Sequence, residues 1–309
     1  MTEFIGFRNI IDGFSARIKS NKLSHAHLII GPDGIGKSLI ARKFAMNILE
    51  KTNDIEYADI INFRPKKASL GVDEVREIID EVNKKPFEGN KKVIIIHKGS
   101  KMTIQAQNAL LKTIEEPPNG VYIIILSESL ELMLDTIKSR SQIYKLTPLN
   151  KDEMKKFLNK LKIEDEKQIK LALSYGEGIP GRAEEILYNK DLSDLRNIVV
   201  DLLCEVSKGN SLNILEFEDK FNKFKNEKDN IIRILVSFIR DIIVNKEMDN
   251  KERIINIDKY EEVNELSKEM SYRKLNGMIN DINETRNYFN NNVSFLAGIS
   301  MMLIKFLED

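Results

Sequence analysis

One segment of this 309-residue chain leaves the backbone little choice. The apolar run His27-Leu28-Ile29-Ile30 leads straight into Gly31-Pro32-Asp33-Gly34-Ile35-Gly36-Lys37-Ser38, which opens onto the helix-patterned stretch LIARKFAMNIL. Strand, glycine-rich loop and helix in that order make a phosphate-binding turn. The glycines let amides converge on anionic oxygens, the helix N-terminus adds partial positive charge, Lys37 reaches the β- and γ-phosphates, and the Ser38 hydroxyl can ligate magnesium. The residues expected around a nucleotide are therefore Gly31, Pro32, Gly34, Ile35, Gly36, Lys37 and Ser38. A glycine-rich turn with a chance lysine is the bland alternative, and the intact order of strand, loop and helix weighs against it.

Apolar runs of strand length recur downstream: DIINF at 59–63, KVIIIH at 92–97, VYIIIL at 121–126 and IYKL at 143–146. Their alternation with helical patterns predicts an α/β domain built on a parallel sheet. Val93–Ile96 and Val121–Leu126 have no polar alternation, which places them in the middle of the sheet under helices on both faces. Thr103 is positioned to cap a helix through NALLKTIEE, which Pro117-Pro118 must stop.

Beyond Pro148 the strand signals vanish and apolar residues recur at three- and four-residue spacing. Gly176, Gly178, Pro180 and Gly181 interrupt this helical region, and KGNS, near 206–212, separates two helices. The expected layout is three domains, 1–147, 148–208 and 209–309, a length of chain too great for one ordinary core. The runs 231–244 and 293–307 are apolar enough to be buried in a helical bundle or an oligomer interface.

Hydrolysis of a bound nucleotide needs more than this loop. A carboxylate site must hold magnesium and orient the attacking water. Here the central strand VIII is followed by His97 and Lys98. A neutral imidazole is a poor ligand for a hard cation and an ammonium repels it. Losing charge stabilisation of this kind costs on the order of a hundredfold or more in rate. His97 reads as a hydrogen-bonding or structural residue, with a catalytic base as the alternative.

Lys+Arg and Asp+Glu both total 48, so no global positive field draws the chain onto nucleic acid. Lys66-Lys67 and Lys84-Lys85 read as ordinary surface lysines. The single cysteine, Cys204, sits in an apolar run and reads as a buried small side chain. No basic, apolar leader and no run of membrane-spanning length is present, so a cytoplasmic protein without a membrane partner is expected.

The ordered stretches LSHAHLIIGPDGIGKS, KVIIIHKGSKMTIQAQNALLKTIEEPPNGVYIIIL and TIKSRSQIYKL resemble the clamp-loader branch of the AAA+ superfamily over residues 5–187. The tail MINDINETRNYFNNNVSFLAGISMMLIKFL resembles the end of that family's helical collar. The resemblance implies an AAA+ nucleotide-binding domain, a helical lid and a collar that packs against other subunits. Active members end the central strand in an Asp-Glu pair, so His97-Lys98 make the chain more similar to the delta-prime members than to the hydrolysing gamma/tau members. By the same resemblance Ser139-Arg140-Ser141 stands for the family's Ser-Arg-Cys motif, whose arginine acts in trans on a neighbour's ATP. Gly178-Ile179-Pro180-Gly181-Arg182-Ala183 resembles the sensor-two segment and makes Arg182 a second nucleotide contact. The sensor-one position, near Ser127 and Glu128, stays unassigned.

The implied cofactor is ATP or ADP with magnesium. The implied partners are gamma/tau and delta subunits, with the sliding clamp and primed DNA reached through the complex. Many relatives carry a four-cysteine zinc module after the phosphate-loop helix, but only KTNDIEY stands there in this chain, so zinc is not carried over. The implied protein holds ATP, hydrolyses it weakly or not at all, and has no polymerase site. The alternatives are an autonomous ATPase of the gamma/tau type and a small-molecule kinase or transferase built on the same loop.

Overall fold

The computed structural model describes residues 5–53, 55–65, 67, 69–209, 213–248, 250–291 and 293–308. Two compact units are present, Met1–Lys160 with Gly178–Gly181, and Leu161–Glu177 with Arg182–Asp309. Part of the expected seam near 206–212 lies outside the described residues, as does Lys66.

The first unit is a five-stranded parallel sheet of β1 (Ala26–Ile30), β2 (Ile60–Phe63), β3 (Lys92–Ile96), β4 (Val121–Ser127) and β5 (Gln142–Lys145), in the order β2-β3-β4-β1-β5. Its helices are α1 (Arg8–Lys19), α2 (Lys37–Ile48), α3 (Val72–Asn83), α4 (Ile104–Glu115), α5 (Asp135–Arg140) and α6 (Lys151–Lys160). The apolar runs without alternation have the expected cause. Ile94, Ile96, Ile123 and Ile125 pack with α3 and α4 residues such as Val75, Ile78, Leu110 and Ile114. Val93, Ile95, Ile124 and Leu126 turn the other way, into a core with Phe14, Ile40, Phe44 and Ile48 from α1 and α2. Side chains alternate across a strand, so a strand covered on both faces must be apolar throughout.

Helix α4 begins where Thr103 Oγ1 accepts the Ala106 amide at 3.1 Å and ends just before Pro117-Pro118, as the residues dictate. Within the second core the Phe14 and Phe44 rings stack at 3.6 Å, with His27 and Tyr144 around them.

The second unit is helical: α7 (Glu166–Gly176), α8 (Pro180–Tyr188, its first two residues grouped with the sheet), α9 (Lys190–Ser207), α10 (Ile214–Asn222), α11 (Lys228–Met248), α12 (Tyr260–Glu269), α13 (Tyr272–Asn290) and α14 (Phe295–Glu308). Helix α11 buries Ile231, Ile234, Leu235, Phe238 and Ile242, and α14 buries Ile299, Met302, Leu303 and Phe306. A buried polar network ties the 254–258 segment to these helices. Arg196 grips both Asp258 carboxylate oxygens, at 2.6 and 2.9 Å, and the Asp241 carboxylate accepts the Ile255 and Asn256 amides at 3.0 and 2.7 Å. Cys204 is half-buried rather than buried, and that burial raises its thiol pKa, keeping it protonated. No helix among the described residues is long and apolar enough to cross a membrane.

His27 lies wholly inside β1, where burial lowers its imidazole pKa to about 4. The unfolded chain takes up a proton there below about pH 6.5 that the folded protein refuses until about pH 4, so this site lowers stability as pH falls through that window. The full effect is about 3 kcal/mol. In urea unfolding at about pH 7.5 and about pH 4.5, His27→Leu is expected to lose distinctly less stability on acidification than the parent protein. An equal loss in both would place the acid sensitivity elsewhere.

Candidate functional site

Strand β1 runs between β4 and β5, and the chain leaves its carboxyl end at Gly31, whose amide still bonds the Ser127 carbonyl of β4 at 3.2 Å. The loop from Gly31 to Gly36 then turns back into α2. Gly34 and Gly36 have φ of 83° and 104°, in the region that only glycine adopts freely. Ile35 between them is 2% exposed and plugs the loop into the core beside α2. Gly36 caps α2, no side chain caps the first turn and no acidic residue lies in it. The electropositive end of the helix therefore faces the loop.

Lys37 is buried, its ammonium donating to the Gly31 carbonyl at 2.7 Å and the Pro32 carbonyl at 2.9 Å, with Asp33 Oδ1 at 3.8 Å. Burial pushes its pKa down. The Asp33 and Glu128 carboxylates oppose that shift and the Lys98 charge adds to it. Glu128 follows directly on β4, at the position the sequence left unassigned, so the structure places it in the electrostatic neighbourhood of the loop lysine. A carboxylate one residue past a strand end gave only a weak signal, because which strand stands beside β1 is a matter of topology.

The end of β3 holds the altered pair. His97 is 5% exposed; its Nε2 lies 2.9 Å from Asn62 Oδ1 on β2, and its Nδ1 lies 3.4 Å from Ser38 Oγ. Burial, assisted by the nearby Arg64 charge, lowers its pKa to about 4, so the ring is neutral at neutral pH. An amide oxygen can only accept, so Nε2 carries the proton and Nδ1 presents its lone pair to the Ser38 hydroxyl. Lys98 follows in a left-handed conformation, φ 51°.

The loop residues and Ser38 are thus brought together as the sequence implies, with His97 and Asn62 added. Arg140 ends α5, a little under half exposed, with Nε on Glu115 Oε1 at 2.7 Å and Nη1 on the Thr136 carbonyl at 3.1 Å. Its bonds run to α4 and to its own helix, not to the loop. Arg182 belongs to the second unit, where Nη1 lies 3.5 Å from Glu177 Oε2. Among the described residues no group of three or more His, Cys, Asp or Glu is arranged to hold a metal ion.

The Gly178–Gly181 segment closes the back of the loop. The Gly181 amide donates to the Gly34 carbonyl at 2.9 Å, and the Gly178 carbonyl accepts from Leu149 at 2.8 Å.

Residues 6–150 match the family described as DNA polymerase III, delta subunit, and residues 192–307 match DNA polymerase III, delta subunit, C terminal. The chain is 23% identical over 312 residues to DNA polymerase III subunit delta' of Bacillus subtilis, covering 94% of this chain and 93% of that protein. It is 27% identical over 237 residues to DNA polymerase III subunit tau/gamma of Haemophilus influenzae, covering 69% of this chain but 34% of that protein, so it spans about a third of that relative. A solved DNA polymerase III gamma subunit-related protein of Thermotoga maritima covers 96% of this chain and 98% of its own at 17% identity, with a TM-score of 0.47.

A methyl group on Gly181 would lie 2.7 Å from Gly34 Cα and 2.9 Å from its carbonyl oxygen, backbone atoms that cannot swing aside. Gly181→Ala is expected to break the Gly181–Gly34 bond, lower stability by about 1–3 kcal/mol and speed amide exchange at Ile35 and Gly36. Unchanged exchange at those amides would show that the loop does not depend on this contact.

Proposed function

Because the chain belongs to the DNA polymerase III delta-prime family, we propose that it works as a clamp-loader subunit that holds ATP or ADP, hydrolyses it weakly or not at all, and supplies Arg140 to the site of a neighbouring subunit. The layout in this reading is a nucleotide-binding domain at 1–147, a lid at 148–208 and a collar at 209–309. Its partners are gamma/tau and delta subunits, with the sliding clamp and primed DNA engaged by the assembly.

The observation that carries the non-hydrolysing part is the pairing of a complete phosphate loop with His97 at the end of β3. The loop has its lysine, its helix end and its left-handed glycines. Where hydrolysis needs a carboxylate to organise metal and water, a buried neutral imidazole is engaged with Ser38 and Asn62. Binding needs only the first set of groups, whereas turnover needs both. Arg182 stands as a further nucleotide contact in this reading, and the presence of a P-loop without its acid partner argues against the autonomous gamma/tau-type ATPase.

Support for the finger comes from position and exposure. Arg140 is the last residue of a short helix, its guanidinium partly exposed and paired with Glu115. A guanidinium delivered to a neighbour's phosphoryl group stabilises the charge that develops in transfer, an effect of about 10³ to 10⁵ in rate where it has been characterised. The exposed apolar residues of α14, Leu296, Met301, Ile304 and Leu307, support the collar as a packing surface.

In single-turnover hydrolysis by a reconstituted loader with clamp and primed DNA, Arg140→Ala is expected to abolish turnover at the one site this subunit completes, by about 10³-fold or more. The isolated chain is expected to show no turnover above background. Magnesium-dependent turnover by the isolated chain, together with indifference of the complex to Arg140→Ala, would overturn both halves of the proposal.

A further inference from the structure

Magnesium usually accompanies a nucleotide into a loop of this kind, held by the loop hydroxyl and an acid at the end of the neighbouring strand. The donor set here does not fit that ion. Ser38 is the only loop hydroxyl, and its neighbour just past β3 is His97 Nδ1 at 3.4 Å. The ring is fixed in orientation by Asn62 at 2.9 Å, so the position that should offer a hard anionic oxygen offers a nitrogen lone pair. The two carboxylates near the loop, Asp33 and Glu128, act on the Lys37 ammonium, and Asp33 is largely exposed.

Beside Glu128, the carboxyl edge of the sheet supplies positive charge. Lys98 follows His97 directly after β3, and Arg64 follows the paired strand β2, so both stand at this edge of the sheet. With the end of α2, these side chains add cationic groups to the edge at which Glu128 is the carboxylate following β4. Such a field compensates phosphate charge by itself and raises the cost of placing a divalent cation among its members.

Resting on the reading of the loop as a nucleotide site, we propose that it takes nucleoside di- or triphosphate as the metal-free anion, with His97 as the positioning residue that replaces metal coordination by a Ser38–His97–Asn62 hydrogen-bonded chain. The subunit then keeps its nucleotide through changes in free magnesium that would empty an ordinary site. Its nucleotide acts as a bound anion that ties loop to sheet, rather than as a substrate.

The test is equilibrium binding of mant-ADP to the full chain in excess magnesium and in excess chelator. The dissociation constants are expected to agree within about threefold, and Lys37→Ala to weaken both. His97→Asp, which returns a carboxylate to the end of β3, is expected to create a magnesium dependence of about tenfold or more. Wild-type binding that collapses on chelation overturns this proposal while leaving the nucleotide site intact. Failure to bind in either condition, or binding indifferent to Lys37→Ala, removes the nucleotide site itself and this proposal with it. Nitrogen NMR of His97 in the free wild-type protein gives a readout independent of any ligand. An Nε2-protonated ring whose Nδ1 resonance moves in Ser38→Ala supports the chain of bonds, and an Nδ1-protonated ring overturns it.

Discussion

The placement of β1 between β4 and β5 is the constraint on which the site rests. A parallel strand covered by helices on both faces has no surface to offer except its ends. Every group with chemistry to contribute is therefore carried to the carboxyl edge of the sheet: the loop after β1, Asn62 on β2, His97 after β3 and Ser127-Glu128 at the close of β4. The register does the positioning. Asn62 pairs with Ile95 and Phe63 with Ile96, which sets the β2 amide beside the imidazole that follows β3. The cores on the two faces hold that register, because a slip of one residue would turn each apolar set to the wrong side.

The phosphate loop was legible in the sequence because its requirements are local. Glycine at left-handed positions, a lysine and a hydroxyl at the first turn, and a strand before them are all within a dozen residues. The central strands were legible for a similar reason, since burial on both faces removes polar alternation from the run itself. Asn62 was not, because it lies 35 residues from His97 and meets it only through the pairing of β2 with β3. Glu115 and Arg140 likewise meet through the packing of α4 with α5. The grouping of Gly178–Gly181 with the sheet could not be read either. In sequence those residues look like a break in a helical region, and only the close approach of Gly181 to Gly34 shows why a side chain is excluded there.

Replacing an acid by a histidine at the end of β3 changes more than one ligand. An ionised carboxylate there would need compensation from a cation or a metal, and would draw magnesium toward Ser38. A neutral imidazole needs neither, and its two nitrogens are matched by one donor and one acceptor. The cost of burying it is the low pKa, and the return is a strand end that is polar, ordered and uncharged. The phosphate-binding half of the machinery can therefore persist without the half that activates water.

Two arginines in this chain illustrate how burial decides what an ion pair is for. Arg196 is 3% exposed and engages both oxygens of Asp258 together with Asn256, so breaking the pair would leave a buried charge without compensation. Such a pair is a fixture of the helical unit. Arg140 and Glu115 form an equally short contact, but both side chains are more than two-fifths exposed. An ion pair in that setting contributes about 0–1 kcal/mol, and exchanging Glu115 for another anion costs little. A nucleotide phosphate bears more charge than a carboxylate and fits the same planar fork of donors. Glu115 thus holds the guanidinium of the proposed finger at the surface while remaining weak enough to yield it, a combination that neither a buried partner nor an unpaired arginine would provide.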